Sequence, residues 1–154
     1  MAAKPIPDGY HSVQPYLALN GAAQGIEFYK DVFGAEELMR MPGPDGTVGH
    51  AELRVGDSII MLADESAEIE FRSPDDLGGS SVTILLYVDD CDAVFRRAVE
   101  AGATGEREPA DQFYGDRAST IRDPFGHRWF IHTSVEDVSP EEMERRVQAL
   151  DDAG

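Results

Sequence analysis

The spacing of apolar and polar positions divides the chain into two stretches that read alike. Residues 11–19 form a strand pattern, with Pro15 inside it pointing to an edge or a bulge. Asn20-Gly21 punctuates its end. Across residues 22–33, Ile26, Tyr29, Val32 and Phe33 recur at helical spacing and make one apolar face. Gly34 follows, where a helix terminus in the left-handed conformation favours glycine. Three strand patterns come next, at 36–41, 47–55 and 58–63. They are separated by Pro42-Gly43-Pro44-Asp45-Gly46 and by Gly56-Asp57, and the last two read as a hairpin. Residues 65–79 are acidic, contain Ser73-Pro74 and Gly78-Gly79, and read as a linker or surface loop.

The same order then returns. Residues 80–88 form a strand pattern rich in Val, Ile and Leu. Asp89-Asp90 can cap a helix over 92–101, whose apolar residues are Val94, Phe95, Ala98 and Val99. Gly102 ends it, and strand patterns follow at 104–108, 117–122 and 128–131. The offset between the halves is about 68–70 residues: Gly34-Ala35 returns as Gly102-Ala103, and Gly56 as Gly126. This predicts an α+β domain over 1–154, built of one βαβββ module at 10–64, the linker at 65–79 and a second βαβββ module at 80–133. A C-terminal helix over 139–150 opens at Ser139-Pro140-Glu141-Glu142. Its stripe of Met143, Val147 and Leu150 is expected to dock on the domain or on a partner subunit.

Composition narrows the function. Hydrophobic residues make up 42% of 154, enough for a packed core. No apolar run approaches the roughly 20 residues of a membrane helix, and the first ten residues lack the apolar stretch of a secretory signal. A cytoplasmic protein with no membrane partner is the expectation. The net charge of −17 repels phosphate backbones and argues against nucleic acid. It serves solubility, or it draws a cationic ligand into an acidic groove. Cys91, the lone cysteine, stands in Asp89-Asp90-Cys91-Asp92; neighbouring negative charge is expected to disfavour its thiolate.

Five stretches carry a family resemblance: Ile26-Glu27-Phe28-Tyr29, Phe33-Gly34-Ala35, His50-Ala51-Glu52-Leu53, Tyr114-Gly115-Asp116-Arg117 and Asp123-Pro124-Phe125-Gly126-His127-Arg128-Trp129. With the repeat, they resemble the vicinal oxygen chelate superfamily of glyoxalases, bleomycin resistance proteins and dioxygenases. The last two resemble its PhnB-like branch most. The resemblance implies two modules forming a U-shaped mixed-sheet cleft, a homodimer, and in many members a divalent metal held by the first and last strands of each module. Carried over position by position, those ligands fall on Gln14, Met61, Thr83 and Phe130. None is His, Glu, Asp or Cys, so no metal and no other cofactor is expected.

Strand alternation puts Leu17, Leu19, Ile60, Leu62, Ile84, Leu86, Trp129 and Ile131 against the helices, and Gln14, Tyr16, Met61, Thr83, Leu85, Tyr87, Phe130 and His132 on the cleft side. Tyr114 and Arg117 join the ligand-binding candidates, Arg117 for a carboxylate or phosphate or as a loop brace with Asp116. His50 with Glu52 on the same strand face, and His132, are the candidate catalytic groups. His127 is expected to fix its turn. The expected function is metal-independent binding and sequestration of a small molecule, cationic in character. The alternatives are a glyoxalase- or dioxygenase-like enzyme, metal-dependent through other ligands or acid–base through His50 or His132, and a purely structural role in dimerisation.

Overall fold

A computed structural model describes residues 2–154. The elements run β1 (Tyr16–Leu19), α1 (Ala22–Phe33), β2 (Glu36–Pro42), β3 (Val48–Val55), β4 (Ser58–Asp64), α2 (Pro74–Leu77), β5 (Thr83–Tyr87), α3 (Cys91–Glu100), β6 (Thr104–Asp111), β7 (Asp116–Arg122), β8 (Arg128–Ser134) and α4 (Pro140–Ala153). Two four-stranded mixed sheets result, ordered β1-β4-β3-β2 and β5-β8-β7-β6. In each, the first strand runs parallel to the last and the remaining pairs are antiparallel. Register fixes the repeat: Tyr16 lies opposite Met61 and Leu85 opposite Phe130, both pairs related by 69 residues.

The chain forms two compact units. One takes the described chain up to Ser81 together with Pro124–His127; the other takes Val82–Asp123 and Arg128–Gly154. In the first, α1 lays Ile26, Tyr29 and Val32 on Leu19, Leu53 and Leu62, all buried. Phe125 joins this core, edge-on to Phe28 and Tyr29. His127 fixes its turn as expected, its Nε2 meeting the Ala18 carbonyl at 2.9 Å. In the second unit, Trp129, Ile121 and Ile131 are the largest buried side chains. The Trp129 indole N–H donates to Asp123 Oδ2 at 2.9 Å, so the burial of a polar tip is compensated.

Several boundaries differ from expectation, each for a local reason. β1 begins at Tyr16 rather than at residue 11, because Pro15 has no N–H for a ladder; its carbonyl still accepts from Met61 N at 2.9 Å. β8 runs past residue 131 to Ser134, since β7 starts at Asp116 and pairs there with Ser134. α3 begins at Cys91, because Asp90 Oδ1 accepts from Ala93 N at 3.0 Å and is the N-cap. α4 continues past residue 150 to Ala153. The 65–79 stretch is more ordered than a linker. Ser66 bridges Phe71, and Ser73 caps α2.

Candidate functional site

The second unit holds a cleft of about 540 Å³ on the face of its sheet. His132 and Asp116 form its floor, 6% and 7% exposed. Alternation on β8 turns His132 away from the helix-facing Trp129 and Ile131, and the Ala118 pairing sets it beside the start of β7. His132 Nδ1 lies 2.9 Å from Asp116 Oδ2, and the Tyr87 hydroxyl donates to the same oxygen at 2.9 Å. An ionised carboxylate only accepts, so Nδ1 of a neutral His132 carries the proton and Nε2 is the lone-pair nitrogen left for the cleft. Tyr114 stacks over the imidazole, centroids 6.1 Å apart and planes 23° apart. The hydrogen bond to Asp116, then burial, raises the Tyr87 phenol above the usual range; burial, then the Asp116 charge, does the same for Tyr114. Both hydroxyls therefore remain donors at neutral pH.

The first unit carries a different constellation. Tyr16 Oη lies 2.6 Å from His50 Nδ1, and His50 Nε2 lies 3.0 Å from Glu52 Oε1. The Tyr10 hydroxyl donates to the other Glu52 oxygen. The Tyr10 bond, then the His50 bond, holds the Glu52 carboxyl below its ordinary range. An ionised Glu52 requires Nε2–H on His50, so a neutral His50 accepts at Nδ1 from Tyr16. Burial keeps the Tyr16 phenol protonated, with the Glu52 charge a smaller contribution. Tyr16 thus donates inward and shows only lone pairs outward. It does so at the edge of a cavity of about 850 Å³, whose other walls include Phe71, Val48, Asp64, Glu65 and Glu68. The Phe71 ring meets Tyr16 edge-on at 5.4 Å. Among the described residues lining this cavity there is no Lys, Arg or His.

The Glu52 shift carries a sign. A carboxylate whose folded pKa is lowered contributes stability that is full above its unfolded pKa and is lost as pH falls through the folded value. Glu52→Gln is expected to be less stable than the parent at pH 7. The gap should close on acidification below the ordinary glutamate range, as read by urea midpoints across pH 3–7.

A family model for the Glyoxalase/Bleomycin resistance protein/Dioxygenase superfamily matches residues 11–131. The chain belongs to that superfamily. A protein of Mycobacterium bovis is 40% identical over 144 residues, 92% of this chain and 95% of that one. TioX from a Micromonospora species superposes with a TM-score of 0.63 at 26% identity, over 84% of this chain and 100% of that chain. A PhnB protein from Bacillus cereus shares the fold with a TM-score of 0.62 at 15% identity, over 80% and 99% of the two chains.

The superfamily's metal positions do not suit a divalent ion here. Gln14 gives its side-chain oxygen to the His11 N–H at 2.7 Å. Met61 and Phe130 offer no hard donor, and Thr83 is a neutral hydroxyl at the start of β5. Among the described residues, no group of three or more His, Cys, Asp or Glu comes together as a ligand set. Of the other candidates, Tyr87, Tyr114, Phe130 and His132 share the second-unit cleft, and Tyr16 alone lines the first-unit cavity. His50 and Glu52 stand behind Tyr16.

Arg117 and Asp116 do not brace one another. Adjacent residues on a strand point to opposite faces, so Asp116 turns to His132 while Arg117 lines neither of the two cavities. Its guanidinium grips Asp92 at 2.6 and 2.9 Å and Asp111 at 3.1 Å, tying the start of α3 to the sheet. Cys91 is buried, and burial more than the neighbouring acids pushes its thiol up. Sequence reasoning missed Asp116 as the partner of His132 and missed the contribution of 65–71. Ile69 and Phe71, two large apolar residues in an otherwise acidic stretch, were the available signal.

Proposed function

We propose that the protein is a metal-independent small-molecule binding protein whose ligand is a planar organic cation held in the first-unit cavity. The observation that carries this reading is the composition of that cavity. It pairs two aromatic rings with the carboxylates of Asp45, Asp64, Glu65 and Glu68, and none of its lining residues is basic. A cation over an aromatic face gains about 0.5–2 kcal/mol, and carboxylates around it add a long-range attraction. The Tyr16 hydroxyl, turned inward to His50, adds an acceptor suited to an N–H donor. Membership in a superfamily that includes bleomycin resistance proteins supports binding as the activity.

The test is calorimetric titration with 9-aminoacridine, a planar cation, and with acridine, the same ring system uncharged at pH 8. Saturable binding of the first and not the second is expected, weakening as salt screens the carboxylates. Dialysis against a strong chelator should leave the affinity unchanged. Equal binding of both dyes, or a loss of binding that added zinc or iron(II) restores, would overturn the reading.

A further inference from the structure

The second-unit cleft calls for a different chemistry. It is aromatic, with Tyr87, Tyr114 and Phe130 on its walls, and it is not uniformly acidic, because Arg107 shares the lining with Glu108. Its floor is an imidazole nearly removed from water, held by a carboxylate through the nitrogen that does not serve the cleft. That is how a general base is prepared. The partner fixes the tautomer, orients the ring, and stabilises the imidazolium formed when Nε2 takes a proton. The arrangement is doubly secured, since Tyr87 also donates to Asp116 Oδ2.

Tyr114 supplies the complementary part. Its ring lies over the imidazole and lines the same cleft, so a planar molecule bound there would meet Nε2 and have a phenol O–H in the same wall. A donor there can hold negative charge as it develops on an oxygen of the ligand. None of this requires a metal, and none of it uses the residues of the first-unit cavity.

We propose that the second-unit cleft is a general-base site for small planar aromatic carbon acids, with His132 Nε2 as the base, Asp116 as the residue that positions it, and Tyr114 as the hydroxyl donor. The proton passes from carbon to Nε2. The C–H electron pair moves into the new π bond of the ligand, and the negative charge comes to rest on its oxygen. The imidazolium then returns its proton to water or to another atom of the product, so no oxidant, reductant or second substrate is needed.

5-Nitrobenzisoxazole tests this directly. Loss of its ring C–H proton forms a nitrile as the N–O bond breaks, and the phenolate released is read by its absorbance. The intact chain is expected to turn the probe over faster than free imidazole at the same concentration. His132→Ala should be roughly 100-fold slower, with added imidazole restoring much of the rate. Asp116→Asn, which keeps an oxygen for Tyr87 and His132 but no counter-charge, should lower kcat at unchanged KM. If His132→Ala fails to fold, His132→Gln and Asp116→Asn carry the comparison. A parent rate no greater than that of imidazole, or full kcat in the folded His132 and Asp116 variants, would overturn the assignment.

Discussion

Asp64→Ala is expected to destabilise the first unit by about 3 kcal/mol, a larger loss than any other single carboxylate there should give. Helix α1 begins without a side-chain cap of its own, because its N-cap is Gly21. Asp64, some forty residues away at the end of β4, supplies the missing acceptor. Its Oδ1 takes the N–H groups of Gly21 and Ala22 at 3.0 and 2.8 Å, and its Oδ2 takes the N–H of Val48 at 2.7 Å. The carboxylate also places negative charge at the positive end of the helix. Alanine leaves three backbone donors without an acceptor at once. Asp64→Asn should fall between the two, since its amide oxygen can serve one side while its NH₂ would face a donor on the other. Urea unfolding checks this, with a lowered midpoint at an unchanged slope as the expected result. Because Asp64 also lines the cavity, the alanine variant should lose 9-aminoacridine binding as well.

The second large effect concerns the rings. Tyr16→Ala and Phe71→Ala should each weaken 9-aminoacridine binding by about 1–2 kcal/mol, a five- to thirtyfold rise in Kd. Tyr16→Phe keeps the ring and removes the hydroxyl, with its bond to His50 and the lone pair offered to the ligand, so its loss should be smaller. Tyr16 is 46% exposed, and its truncation should cost the fold little. Calorimetry on the three variants separates ring from hydroxyl.

The frame of the molecule was legible because it rests on short-range rules. The glycines at 34 and 102, the helical spacing of Ile26, Tyr29 and Val32, and the turn at 123–126 each mark a local conformation. Their recurrence at a constant offset revealed the two modules. The chemistry was less legible because it does not repeat. In register, Glu52 corresponds to Thr120 and His132 to Ala63, so each half bears its ionisable groups where the other has none. Asp116 was assigned to the wrong neighbour, as sequence adjacency favoured Arg117 while strand alternation separates the two. The role of Asp64 lay beyond reach, since nothing local marks a side chain that caps a helix 42 residues earlier. The bond from the Tyr10 hydroxyl to Glu52 was equally unmarked, since it joins residues 42 positions apart.

The most direct measurement is a map of amide shifts in ¹⁵N-labelled protein as 9-aminoacridine is added. Binding in the first-unit cavity should move the amides of Thr47, Val48 and Gly49 and of residues 64–71, and leave those of Tyr114, Phe130 and His132 in place. Shifts concentrated at Tyr114, Phe130 and His132, or no shifts at saturating dye, would contradict the assignment of the cation site.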